Sequence, residues 1–397
     1  MIARRWTILF VLFVTRTAVA FQFQTVAALR PILMSSFDLD FAWIGALIGV
    51  YMLPGLAFSL PSGMLGQKID AKVITIAGLV LMAFGGATTA VDSFGVMFSG
   101  RLISGAGAVL INVVLTKMVT DWFEGHEIVP AMSIFIASWP LGLSLGMVLL
   151  PVLASVWSWQ AAMLAVVLFS LCCLALIAIS YHDPERSADS DTATFRWELS
   201  RHEWKLITLA GTMWTTYNVA YIVLISFLPD IFMKQGYSLA EANRLVSWLG
   251  WILIPSVPLC GLLAGWLKKA DLIMTIGFVV TSLAACGLAF SDRPQTFFWL
   301  LAFGSGLPAG LIMALTAQAL NRENRSIGMG VFYSYYYLGM AALPPVAGWI
   351  RDASGSEAAI PLFASFMIFV ALLGLAGFRY VQLSLARADA RADEKHT

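Results

Sequence analysis

The sequence predicts an all-α membrane protein, with twelve transmembrane helices in two pseudo-repeated halves of six. Three observations predict it. Of the 397 residues, 59% are hydrophobic and 12% charged, with a mean hydropathy of +0.82, far more apolar than a soluble domain. Apolar runs long enough to cross a bilayer recur along the chain, separated by short polar breaks. Short motifs of the first half return in the second, in order, about 200 positions later.

The first run, Trp6 to Leu29, makes about 36 Å of helix at about 1.5 Å per residue, enough for a hydrocarbon core of about 30 Å. Arg4 and Arg5, the apolar residues after them and Ala18-Val19-Ala20 imitate a cleavable signal. Arg16 interrupts that pattern and the apolar residues resume through Leu29, as in a retained helix. Arg16 therefore sits at membrane depth, where arginine costs about 2.5–3.5 kcal/mol, so it faces protein or water. Two readings stand: an arginine tying carbonyls together inside the bundle, or a positive charge lining a cavity for an anion. Gln24, eight residues on, shares roughly the same face.

The remaining runs are 41–65, 73–91, 94–116, 130–152, 159–181, 205–229, 243–267, 271–290, 296–320, 326–349 and 358–380. With both termini cytoplasmic, seventeen of the 24 lysines and arginines fall on the cytoplasmic side and five outside, leaving Arg16 and Arg101 within spans. That bias fixes the expected orientation, and the setting is a bacterial-type inner membrane. Residues 1–181 form the first half and 205–380 the second. Between them 182–204, charged and rich in Asp, Ser and Arg, is a cytoplasmic linker; residues 381–397 are a charged cytoplasmic tail. Ser200 and Glu203 have capping-box spacing, so the seventh helix starts inside the linker.

The repeat rests on four ordered matches. Gly63-Met64-Leu65 answers Gly261-Leu262-Leu263, Thr75-Ile76 answers Thr275-Ile276, Val91-Asp92-Ser93 answers Ser291-Asp292-Arg293, and Gly105-Ala106-Gly107 answers Gly304-Ser305-Gly306. Two halves of like orientation imply a transporter whose site lies at mid-membrane between them.

Twelve spans, a long central loop, the glycine-led basic loop Gly63-Met64-Leu65-Gly66-Gln67-Lys68 and the Arg101-Leu102-Ile103-Ser104-Gly105 sequence of the fourth span together resemble the major facilitator superfamily across the whole chain. The superfamily loop carries an aspartate where Gln67 stands and arginines where Ala71 and Lys72 stand. The stretch Tyr221 to Asp230 and the run Asn112 to Lys117 resemble the cyanate-permease and nitroimidazole-transporter branch more loosely. The resemblance implies a monomer working by alternating access, with spans one, four, seven and ten lining its cavity.

Within that frame Arg101, Gly105, Ala108 and Asn112 form one stripe of the fourth span, small between two hydrogen-bonding ends, suited to a cavity or a close helix partner. Arg101 divides evenly between scaffold and site. Trp214, Tyr217, Asn218 and Tyr221 share a side of the seventh span. An aromatic stripe is commonly core packing, yet phenol and amide groups need partners that lipid does not supply. Of the eleventh-span tyrosines, Tyr333 shares a side with Tyr336 or Tyr337 and meets the interior. Lys68, Lys117 and Asp121 are candidates for a cytoplasmic gate. The pairs Gly45/Gly49, Gly142/Gly146 and Gly261/Gly265 have the spacing that lets helices approach closely.

The 23 acidic residues all lie at span ends or outside spans. A cation would thus meet two arginines and no counter-charge, whereas a carboxylate-like anion matches a guanidinium fork. The four cysteines lie in apolar runs as packing residues, the four histidines lie outside the spans, and no metal, phosphate-loop or hydrolase pattern occurs. Net charge is +1, which gives no electrostatic reason to bind nucleic acid. The expectation is a transporter, not an enzyme and with no cofactor, for a small organic or inorganic anion, coupled to protons or a counter-substrate. The alternative is an exporter of neutral or weakly acidic toxic compounds, in which the aromatic residues dominate and the arginines are scaffold. A membrane sensor or assembly factor would carry a large soluble extension, and the short linker and tail argue against one.

Overall fold

The computed structural model describes residues 2–58, 70–123, 127–182, 199–321 and 324–393. Among these residues every regular element is a helix. Eleven helices are long and apolar enough to cross a membrane. The twelfth expected span also forms, as the 30-residue helix Arg325–Ser354; its clustered tyrosines, its glycines and Pro344-Pro345 dilute its apolar content below that of the others. The loop at 63–68, with Lys68, and most of the central linker lie outside the described residues.

Local chemistry sets the boundaries. Helix Phe41–Val50 starts where the Asp40 side chain accepts the Trp43 amide at 2.8 Å. Helix Arg201–Phe227 starts at the expected capping box: Ser200 Oγ accepts the Glu203 amide at 3.2 Å and Glu203 Oε2 accepts the Ser200 amide at 3.0 Å. The last helix, Ala359–Asp393, runs well into the stretch expected as tail. The first span is broken. Helix Ile2–Phe23 ends at a turn on Gln24, and the short segments Thr25–Ala28 and Arg30–Phe37 follow. In the second half, helix Arg201–Phe227 likewise gives way at Leu228 to Pro229–Lys234.

The same pairings occur in each half. Spans three and four pack together as do nine and ten; one packs on five as seven on eleven; three packs on six as nine on twelve. Two seams join the halves, span two against span eleven and span five against span eight. At the first seam the backbones nearly touch: a Cβ on Gly45 would lie 2.3 Å from the Pro344 carbonyl oxygen, and one on Gly49 2.2 Å from that of Ala341. Gly142 and Gly146 make a similar approach to span one inside the first half. Gly261 and Gly265 do not: a Cβ there would meet no described atom within 4 Å, so their spacing reflects composition and not a packed face.

Every hydrogen bond between the halves, among the described residues, lies from mid-depth to the distal end, the end away from both chain termini. Arg30, 2% exposed, pairs with Asp230, donates Nε to the Ser226 carbonyl at 3.2 Å and sits over the Phe41 and Phe227 rings. Asn243 Nδ2 donates to the Ala28 carbonyl at 2.9 Å. The Asp352 carboxylate accepts the Phe41 and Ala42 amides at 3.1 and 2.8 Å. Deeper in, Ser144 Oγ donates to the Ser247 carbonyl at 3.0 Å. Among the described residues, the ion pairs at the other end stay within a half, such as Arg5 with Glu127 and Arg379 with Asp271.

Candidate functional site

Arg16 lies deep in the bundle yet keeps accessible surface. Nε donates to Asn112 Oδ1 at 3.4 Å, Nη1 donates to the Phe135 carbonyl at 3.2 Å, and the guanidinium sits 4.6 Å over the Phe135 ring. These three residues belong to spans one, four and five of the first half. Among the described residues no carboxylate pairs with Arg16. Across the gap, Tyr333, Tyr336 and Tyr337 of span eleven are close enough to feel its charge.

The second half presents an aromatic wall to this arginine. Trp214 stacks on Tyr217 and Phe332, with centroids 6.2 Å apart in each pair, and tilts against Tyr336 at 6.4 Å. Tyr333 meets Tyr336 edge-on at 6.3 Å. The Trp214 indole N–H is buried and without a partner among the described residues. Asn218, partly exposed, donates Nδ2 to the Trp214 carbonyl at 2.8 Å. Arg16 of the first half, bonded to Asn112, thus lies within electrostatic reach of Tyr333 and of Tyr336, on which Trp214 packs, and Asn218 joins the group through its bond to Trp214. The guanidinium supplies donors, and the rings supply flat apolar surface. Phe135 and Phe332 complete it; a single phenylalanine in an apolar span carries no signal that would have found either.

Four other expected residues are placed elsewhere. Arg101 is 1% exposed and its guanidinium is spent: Nε on the Leu47 carbonyl at 3.0 Å, Nη1 on the Gln22 carbonyl at 3.0 Å and Thr25 Oγ1 at 3.3 Å, Nη2 on the Phe23 carbonyl at 3.2 Å. A helix end at Phe23 leaves its last carbonyls without helical donors, and Arg101 replaces them. Gly105 on the same stripe abuts the Tyr51 backbone, so this stripe faces a close helix partner over Gly105 and the site only at Asn112. Gln24, fully buried at the turn, points to span five, with Nε2 2.9 Å from Met147 Sδ. Tyr217 and Tyr221 turn into the second half; Tyr217 donates to the Ser305 carbonyl at 2.7 Å. The proposed gate residues Lys117 and Asp121 pair with each other on one helix at 2.9 Å, partly exposed, and form no other ion pair among the described residues.

The comparisons fit this architecture. The chain matches the Major Facilitator Superfamily over residues 9–303. It is 26% identical over 374 residues to a 2-nitroimidazole transporter of Escherichia coli K12, covering 91% of this chain and 93% of that protein. It is 25% identical over 346 residues to the inner membrane transport protein YajR of the same organism, covering 83% and 74%. Among solved structures, a bacterial homologue of the human lysosomal transporter Spinster, inward-facing and unoccupied, superimposes with a TM-score of 0.74 at 14% identity, covering 97% of this chain and 98% of that one. An all-helical chain of paired six-span halves, its sequence matched over most of its length, belongs to the Major Facilitator Superfamily, a family of membrane transporters and not of enzymes.

Proposed function

We propose that this transporter moves a small organic or inorganic anion, cyanate- or carboxylate-like, across the inner membrane by alternating access. One observation carries the reading: Arg16 keeps accessible surface at mid-depth, between the halves, with no carboxylate partner among the described residues. An unneutralised guanidinium there is costly unless an anion visits it. The charge bias supports a distal end facing outside, in which case the contacts around Arg30 and Asp230 form an outer closure and Arg16 is reached from the cytoplasm.

A thermal-shift series on the purified protein tests this. Cyanate, nitrate and short mono- and dicarboxylates are compared with neutral aromatics, with Arg16→Ala alongside. A ligand at a hundredfold excess over Kd stabilises the folded state by about 2.7 kcal/mol. The reading expects a shift with one anion class that vanishes in Arg16→Ala. Shifts with neutral aromatics only, unchanged in the variant, reject it.

That second outcome matches the second reading, export of neutral or weakly acidic compounds. The wall of Trp214, Phe332, Tyr333 and Tyr336 favours it, as does the name of the nitroimidazole-transporting relative. A nitro group offers oxygen acceptors without a full charge, and a flat ring offers the stacking face.

A further inference from the structure

Inside the second half, away from Arg16, lies a small cavity lined by Tyr217, Tyr221, Thr281 and Ser305 together with apolar residues that include Leu249. All four polar residues are at least nine-tenths buried. Two of them have their hydrogens placed: Tyr217 donates to the Ser305 carbonyl and Ser305 Oγ to the Ala302 carbonyl at 3.0 Å. The other two, Tyr221 Oη and Thr281 Oγ1, have no hydrogen-bond partner among the described residues. Buried hydroxyls left in this condition each cost about 1–3 kcal/mol.

The first half shows what fills the corresponding place. Gln22, Met82, Ser104 and Tyr51 precede Tyr221, Thr281, Ser305 and Leu249 by nearly the offset that relates the halves. There the Gln22 amide closes the network directly. Nε2 donates to the Met82 carbonyl at 2.9 Å and to Ser104 Oγ at 3.2 Å, and Oε1 accepts from the Tyr51 hydroxyl at 3.4 Å. In the second half a phenol stands for the amide and Leu249 for the tyrosine. Two polar groups are lost, Thr281 adds a hydroxyl, and the cavity lies among the residues so exchanged. The room for a water's centre is about 10 Å³, near the lower limit for one molecule.

We infer that this cavity is a hydration site holding one water molecule between the Tyr221 and Thr281 hydroxyls. The Tyr217 and Ser305 oxygens, each with a free lone pair, can receive its hydrogens, giving the two to four polar partners that a buried water requires. The water would tie span seven to spans nine and ten, as Gln22 ties span one to spans three and four.

The sign of a stability change tests it. In a dry cavity, Thr281→Val removes an unsatisfied hydroxyl and raises the melting temperature or leaves it unchanged. In a hydrated one it removes an anchor of the water and lowers the melting temperature, by an amount on the order of 1–3 °C. Tyr221→Phe should lower it as well. The double variant should fall no further than the larger single effect, because one water is lost once. A rise or no change in Thr281→Val, or two falls that simply add, overturns the inference. So does a density map resolving ordered waters elsewhere in the bundle that shows none within hydrogen-bond reach of both hydroxyls; a peak there supports it whatever the variants' expression.

Discussion

Arg30 and Asp230 stand 200 positions apart and form an ion pair across the seam between the halves. Each follows the break that ends the long part of its half's first helix, so the pair joins corresponding places of the two repeats. Asp230→Asn should leave Arg30 buried without its counter-charge. Because Asp230 keeps some exposure, the expected cost is about 2 kcal/mol, below that of a fully buried pair. The check is labelling of Ser226→Cys, 1% exposed in this state, by a membrane-impermeant thiol reagent. Labelling should rise when Asp230→Asn is added, and an unchanged rate would remove the pair from the closure.

Arg16 and Arg101 should separate cleanly. Arg16→Ala is expected to abolish uptake into proteoliposomes while the melting temperature holds or rises, since a partly desolvated charge is removed. Wild-type uptake by this variant sinks the site.

Arg101→Lys is expected to do the reverse of a site lesion. One ammonium does not reproduce four donations spread over Leu47, Gln22, Phe23 and Thr25, so stability should fall by about 3 kcal/mol. A melting curve like that of the unaltered protein would refute the clamp.

Trp214→Phe keeps the stacking surface and deletes the unpartnered N–H. If a substrate oxygen accepts from it, Kd should weaken about tenfold or somewhat more. Equal binding by the two proteins assigns Trp214 to packing alone.

Gly49→Ala sets a methyl group against the Ala341 carbonyl in the span two–span eleven seam. Overpacking of this kind costs about 1–3 kcal/mol. The melting temperature should fall, with the matched change Gly261→Ala as a control that barely moves it.

Much of this was legible in the chain. Span number followed from run length, because a bilayer demands about twenty apolar residues whatever the partner. The capping box at Ser200 and Glu203 was readable because cap geometry is local. Arg16 was readable as turned toward protein or water because charge at depth has few outlets. Its fellow Arg101 was not, since the carbonyls that consume it exist only because the first span breaks at Gln24, and nothing local announces that break. Tyr217 and Tyr221 share a helical side with Trp214, yet Tyr217 bonds to span ten and both tyrosines line a cavity in their own half, while Trp214 packs on span eleven, and spacing alone does not separate these neighbours. Phe135 entered the site through the fold alone.

Arg16 has an electrical consequence. The Arg16 guanidinium at mid-depth gives the empty site a positive charge that a bound monovalent anion would cancel. As the access path switches from one side to the other, that charge shifts through part of the membrane field, worth about 2.3 kcal/mol per 100 mV for a full crossing. The voltage-sensitive step of the cycle would then be the return of the unloaded carrier. Membrane potential would set the turnover of net transport and leave one-for-one exchange nearly untouched.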